Sequence, residues 1–297
     1  MSRQMAPPLI LDLITKASGY LASKGVDTAR LDAELLLGHV LKMERIELYM
    51  RFDQPLEPRE VDAYRIAIAK RAGRQPVAYI TGSKEFYSLK LRVNPNVLIP
   101  RPETELLVER VLEWLGQQEL EARIIELGTG SGAIAVALAH SLGQVEGARP
   151  RIYATDISPE ALQVAKANVD DYEVGETVEF LQGNLYDALP SSLVSQVDVI
   201  ISNPPYIPTD EIKELAPEIL QYEPLGALDG GVDGLAFYRR IYAEGQKFLR
   251  PGGLVAVEIG HGQGSQVVAI AQNLGYIEPK VYRDYGDKER VVMAIWK

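Results

Sequence analysis

Apolar residues in the first 75 positions recur at helical spacing. In "RLDAELLLGHVL" (30–41), Leu31, Leu35, Leu36 and Val40 fall on one face, and "EPREVDAYRIAIAKR" (57–71) repeats the pattern with Val61, Tyr64 and Ile68. Gly25, Pro55 and Pro58 supply breaks between such segments, so residues 1–75 are expected to form a small helical bundle. The period then changes. "YSLKLRV" (87–93) alternates Leu89, Leu91 and Val93 with Lys90 and Arg92, the signature of a half-exposed strand. "YITGSKEF" (79–86) offers a glycine turn and a partner strand, which predicts a hairpin linker over 76–97. In "VLIPRPETELL" (97–107), Pro100 and Pro102 end extended structure, and Glu103 and Glu105 suit a helix N-terminus.

From Arg123 onward short apolar runs alternate with helical patterns. The strands read as "RIIEL", "RIYATD", "VEFLQ", "VDVIISN", "LVAVEIG", "IEPKVY" and "RVVMAIW", with helices beginning near Ser131, Pro159, Asp233 and Gly262. Near-continuous apolar strands separated by helices predict an α/β domain over 98–297, with a mostly parallel sheet covered on both faces. Ligands of such sheets bind beyond the carboxyl ends of the strands. The residues at those ends therefore carry the functional reading.

Composition narrows the chemistry. The 297 residues, 46% hydrophobic and 24% charged, suit a globular chain of one large or two unequal domains. There is no cysteine, hence no disulfide, thiolate metal site or cysteine nucleophile, and His39, His140 and His261 lack the spacing of a helical zinc site. No apolar run reaches the roughly 20 residues of a membrane span. The opening "MSRQMAPPLILDL" lacks the succession of a signal peptide, so a cytoplasmic protein is expected. Net charge is −10, but unevenly spread: residues 1–75 carry 12 basic and 10 acidic side chains, against 19 and 31 in the remainder. That acidity disfavours a surface for a nucleic-acid backbone.

Two motifs stand at strand ends. "ELGTGSGA" (126–133) places Gly128, Gly130 and Gly132, with Thr129 and Ser131, between a strand and a helix, where a backbone without Cβ atoms can approach a ligand. It also satisfies a permissive dinucleotide pattern, so alone it does not separate a nicotinamide enzyme from another nucleoside-cofactor enzyme. Asp156, closing the next strand, is placed either to accept ribose hydroxyls or to cap the following helix, a role Ser158 before Pro159 also fits. Asn184 or Leu185, after the third strand, would lie near an adenine.

The second motif is "SNPPYIP" (202–208), closing the fourth strand. An uncharged amide is a poor base but a good acceptor of N–H groups. The side-chain oxygen of Asn203 and the carbonyl of Pro204 can take the two hydrogens of a planar, conjugated NH₂ and turn its lone pair toward an electrophile. Pro204 and Pro205 fix φ and present no competing donor, and Tyr206 can stack on the planar group. A sulfonium methyl is an electrophile that needs neither metal nor redox chemistry.

These motifs resemble class I S-adenosylmethionine-dependent methyltransferases, and more closely the HemK/PrmC-type protein-(glutamine-N5) methyltransferases. "RLDAELLLGHVL", "PVAYITGSKEFYSLKLRVNPNVLIPRPETELL", "ELGTGSGAIAVALA", "SNPPYIP" and "EPLGALDGGVDGLAFYRRI" carry the resemblance over almost the whole chain. It implies a Rossmann-like domain with a seven-stranded, mostly parallel sheet, preceded by a helical substrate-recognition domain. It implies S-adenosyl-L-methionine on Gly128, Thr129, Gly130, Ser131, Gly132 and Asp156, with Asn184, Leu185 and Asn203 beside it. A glutamine of the Gly-Gly-Gln motif of class I peptide chain release factors would sit on Asn203, Pro204, Pro205 and Tyr206, with neither nucleic acid nor membrane as partner. Glu126 stands where the family often has Asp, Leu185 where an aromatic is frequent, and "DYGDKER" (284–290) shifts the family's C-terminal glycine by one place. The alternative is a DNA or RNA amino-methyltransferase using the same Asn-Pro-Pro-Tyr chemistry.

Overall fold

The computed structural model describes residues 7–117 and 121–297. The chain divides into two compact units, one formed by the chain up to Gly82 together with Ala216–Tyr222, the other by Ser83–Leu215 and Glu223–Lys297.

The first unit holds α1 (Ile10–Ser23), α2 (Ala29–Leu41), α3 (Arg45–Met50), α4 (Pro58–Ala72) and α5 (Val77–Thr81). Ile10, Ile14, Leu21, Leu36, Leu37, Tyr64 and Ile68 form its core. The face of α2 differs from the expectation: Leu31 and Leu35 are exposed, while Asp32 and Glu34 are buried beside Ala33, Leu36 and Leu37. The acids turn inward because each finds a partner. Arg71 Nε donates to Asp32 Oδ2 at 2.6 Å, and Glu34 accepts from Arg30, Arg45 and the Tyr49 hydroxyl. A buried charge is tolerable only when paired in this way. Glu218 also lies in this unit, accepting from Arg71 Nη1 at 3.0 Å and Arg74 Nη2 at 2.9 Å.

The second unit opens with a hairpin of β1 (Ser83–Phe86) and β2 (Leu89–Arg92). Its turn is Tyr87–Ser88, with φ of 51° and 61°, rather than the glycine turn the sequence suggested. Two successive positive φ values match the right-handed twist of paired strands. Residues 77–81, placed within the expected hairpin linker, are helical, and Gly82, at φ 74°, ends α5 in the left-handed conformation.

Next come α6 (Pro102–Leu115), β3 (Arg123–Leu127), α7 (Ala133–Gly143), β4 (Arg151–Asp156), α8 (Pro159–Asp171), β5 (Val178–Gln182) and β6 (Val197–Ser202). The short α9 (Pro217–Tyr222), part of the first unit, is followed by α10 (Ala236–Gly245), β7 (Leu249–Glu258), α11 (Gly264–Asn273), β8 (Ile277–Arg283) and β9 (Glu289–Ile295). β7 starts five residues before the apolar run "LVAVEIG", and α10 and α11 start two or three residues later than expected.

Seven strands form one sheet in the order β5-β4-β3-β6-β7-β9-β8, parallel except for the pairs β7–β9 and β8–β9. Leu107, Val111, Val136 and Leu138 of α6 and α7 cover one face, and Tyr238, Ile241, Tyr242 and Val267 of α10 and α11 the other. The chain winds outward from β3 through β4 to β5, then returns to β6 on the opposite side of β3. The direction of winding therefore reverses between β3 and β6, where open α/β sheets form their ligand crevice.

Candidate functional site

Four strand ends converge on that crevice. The loop after β3 carries Gly128, Thr129, Gly130, Ser131 and Gly132; Asp156 ends β4, Asn203 follows β6, and Glu258 ends β7.

The glycine loop is held open by its backbone. The N–H groups of Gly128 and Thr129 both donate to the Thr155 carbonyl at 2.9 Å, and Gly128 and Gly130 have φ of 70° and 55°, with no atom within 4 Å of where a Cβ would sit. Those two glycines serve conformation and face free space, whereas a Cβ on Gly132 would lie 3.0 Å from Ala165 of α8. Asp156 Oδ2 accepts from the Gly130 N–H at 2.8 Å and Oδ1 from the Ser158 N–H at 2.9 Å. Asp156 therefore ties the loop to β4; the cap of α8 is Ser158, whose hydroxyl accepts from Ala161 N at 3.1 Å. Each Asp156 oxygen keeps a second lone pair for a ligand hydroxyl.

Beneath the loop, Glu126 is wholly enclosed. Both its carboxyl oxygens and the Thr129 hydroxyl lack a partner within hydrogen-bonding geometry. Burial pushes the Glu126 carboxyl up to about 8, against the opposing pull of the nearby Thr129 hydroxyl and Ala135 backbone and with the Asp156 charge adding to the rise. Unsatisfied polar atoms under an open glycine cradle, with a carboxylate at the next strand end, fit a nucleoside cofactor with polar groups of its own.

Farther along the crevice edge, Asn184 Oδ1 accepts from Arg240 Nη1 at 2.8 Å. The Leu185 side chain is buried in the sheet core, and its φ of 57° marks a tight turn after β5.

At the end of β6, Pro204 is buried and Asn203, Pro205 and Tyr206 are partly so. Asn203 Nδ2 donates to Thr104 Oγ1 at 3.0 Å, and Thr104 Oγ1 donates to Glu258 Oε2 at 2.5 Å. The Tyr206 hydroxyl lies 3.4 Å from Glu258 Oε1. Burial raises Glu258 to about 7, Glu103 adding to the rise, while the Thr104 and Tyr206 hydrogen bonds and Arg290 oppose it. Burial, with the Glu258 charge acting in the same direction, raises the Tyr206 hydroxyl, which stays protonated at neutral pH.

The backbone of the loop is gripped from behind. Gln263 Nε2 donates to the Tyr206 carbonyl at 3.0 Å, and Ile207 exchanges hydrogen bonds with Leu228 O and Gly230 N. A Cβ on Gly234, at φ 70°, would stand 2.4 Å from the Tyr206 carbonyl, and one on Gly230 would stand 2.8 Å from Tyr206 backbone atoms. Only glycine admits the close approach of "LDGGVDGL" to the Tyr206 backbone. Glu223, nearly buried, accepts from Ile99 N and Arg101 Nη2 and anchors the segment leading to Thr104.

The structure thus brings Asn203, Pro204, Pro205 and Tyr206 together with the glycine loop and Asp156 at one end of the sheet. Sequence reasoning missed Thr104, Glu258, Gln263, Gly230 and Gly234. An acid closing an otherwise apolar strand in "LVAVEIG" was the available signal for Glu258.

This sheet order, with a glycine loop and Asn-Pro-Pro-Tyr at its switch point, defines a Rossmann-like methyltransferase domain. A family model described as "Methyltransferase domain" matches residues 119–277, and one described as "PrmC N-terminal domain" matches residues 12–82. The hMettl16 catalytic domain, solved with an RNA hairpin, shares the fold at a TM-score of 0.57 over 76% of this chain and 81% of its own, with 16% identity. The release factor glutamine methyltransferase of Geobacter sulfurreducens is 42% identical over 274 residues, 92% of each chain. That of Moorella thermoacetica is 43% identical over 92% of this chain and 94% of its own. The chain belongs to the release factor glutamine methyltransferase family. No helix among the described residues is long and apolar enough to cross a membrane.

Proposed function

We propose that the protein transfers the methyl group of S-adenosyl-L-methionine to the side-chain nitrogen, N5, of the glutamine in the Gly-Gly-Gln motif of class I peptide chain release factors. The observation that carries this reading is the orientation of the Asn203 amide. Its Nδ2 donates inward to Thr104, which leaves Oδ1 as the end able to accept an N–H from a planar amide.

The Gly128–Gly132 loop and Asp156 would hold the cofactor, Asp156 through its remaining lone pairs. When bound, the cofactor supplies an electrophilic methyl on a sulfonium. Asn203 Oδ1 and the Pro204 carbonyl take the two amide hydrogens of the substrate, which aims the nitrogen lone pair out of conjugation. The Tyr206 ring, pinned by its hydroxyl at Glu258 and its carbonyl at Gln263, supports the planar group. Such fixed acceptors act by preorganisation, needing no rearrangement as charge develops. No base is required before transfer, because the methylated nitrogen is acidic and releases its proton afterward.

The test is incubation with methyl-labelled S-adenosylmethionine, a recombinant class I release factor and duplex DNA. Label is expected on the glutamine of the Gly-Gly-Gln peptide. Label in the DNA, with none in the factor, would replace this reading with amino-methylation of bases.

A further inference from the structure

We propose that Glu258, acting through Thr104, is a positioning residue that dictates which end of the Asn203 amide faces the substrate. The inference rests on the reading of Asn203 as the acceptor of the substrate's N–H.

An asparagine amide fits its socket in two orientations that differ only by exchanging Oδ1 and Nδ2. Packing distinguishes them poorly, since the two atoms have nearly the same size. Hydrogen bonding distinguishes them completely. Asn203 contacts the Thr104 hydroxyl, a group that can either donate or accept, so Thr104 alone would accommodate both orientations. The ambiguity is removed one bond farther on. Ionised Glu258 is acceptor-only, and its Oε2 lies 2.5 Å from Thr104 Oγ1. The single hydroxyl proton is committed to the carboxylate, so the Thr104 oxygen has only lone pairs left for Asn203. Nδ2 must then face Thr104 and Oδ1 the substrate.

Thr104 and Glu258 are both buried, 4% and 1% exposed, so water does not compete for these bonds. The chain runs from α6 through the end of β7 to the loop after β6, three elements of one sheet unit. The other carboxylate oxygen takes the Tyr206 hydroxyl, so one buried acid polarises the amide and anchors the ring beside it. The groups facing Glu258 are Glu103 and Thr104 from α6, Tyr206 from the loop, Arg290 from β9 and Tyr238, whose hydroxyl donates to the Glu258 carbonyl at 3.0 Å.

The experiment compares wild type with Thr104→Val, Thr104→Ser and Glu258→Gln in methyl transfer to the release factor, with cofactor affinity measured separately by calorimetry. Valine keeps the shape of threonine and removes the proton relay. Thr104→Val is expected to lower kcat by about 10- to 100-fold, the scale of a misplaced reacting group, with the cofactor Kd unchanged. Thr104→Ser should recover most of that loss. Glu258→Gln should lower kcat and also abolish the acidic limb of the kcat–pH profile that ionisation of Glu258 gives the wild type. Thr104→Val with wild-type kcat, or Thr104→Ser as impaired as Thr104→Val, overturns the positioning role while leaving the proposed reaction intact. A wild type that methylates bases rather than the glutamine overturns the proposed substrate, and the same variants then report on positioning of the base NH₂. A wild type that labels neither overturns the reading of Asn203 and this proposal with it.

Discussion

Replacing Glu126 by glutamine should remove a large pH dependence from the stability of the sheet unit. The Glu126 carboxyl has an ordinary value of 4.5 when unfolded and is pushed up to about 8 by burial. Between those values the folded protein holds a proton that the unfolded chain has released. Stability contributed by this group is fully present below 4.5 and lost as pH rises through 8. At about 1.4 kcal/mol per pH unit for each proton, the window removes about 5 kcal/mol. Glu258, raised to about 7, adds a parallel loss of about 3 kcal/mol that ends one unit earlier. Asp233, lowered to about 2 by Arg239, titrates outside the window and does not mask the effect. Denaturant unfolding at intervals from pH 5 to 9, without cofactor, checks this through tryptophan fluorescence. Trp114 and Trp296 are the only tryptophans, and both pack on the sheet cores. The Glu126→Gln curve should be shallower by about 1.4 kcal/mol per pH unit up to pH 8 and more stable than wild type at pH 9. Parallel curves would show that Glu126 is ionised in the folded protein and would refute the argument.

Asn203→Ala should lower kcat roughly 100- to 1,000-fold with cofactor affinity retained, as for loss of one preorganised polar partner, in single-turnover assays. Asp156→Ala should act in the opposite sense, raising the cofactor Kd first, because it removes the proposed acceptor of the ligand's hydroxyls and frees the Gly130 N–H. Gly234→Ala combines a left-handed φ, costing about 1 to 2 kcal/mol, with a clash against the Tyr206 carbonyl. It should lower kcat more than it lowers the unfolding midpoint. Arg71→Ala leaves Asp32 buried without its cation and should cost about 3 to 5 kcal/mol, read as faster hydrogen exchange in α2 and α4.

The strands were legible in the sequence because a buried parallel strand is apolar on both faces, and "RIIEL", "RIYATD" and "VDVIIS" admit little else. Helix α2 was misread for the opposite reason. Its inner face contains two acids whose partners lie 39 residues away at Arg71 and 11 residues away at Arg45, so hydrophobicity alone pointed to Leu31 and Leu35. The turn at Tyr87–Ser88 escaped notice because it holds positive φ without glycine or asparagine. In the candidate site, Asn203 and the glycine loop announce themselves by local motif. Thr104 and Glu258, 154 residues apart, acquire meaning only when α6 is laid across the end of β7.

Helix α9 gives the order of synthesis a consequence for folding. It belongs to the helical unit, yet Glu218 follows its partner Arg71 by 147 residues, after the hairpin and four strands of the large sheet. A ribosome therefore releases α1–α5 long before the carboxylate that completes the Arg71 and Arg74 pairs exists. The early helical unit must wait with two under-partnered arginines. The nascent chain should gain a discrete increment of protection in α4 only after residue 222 has emerged.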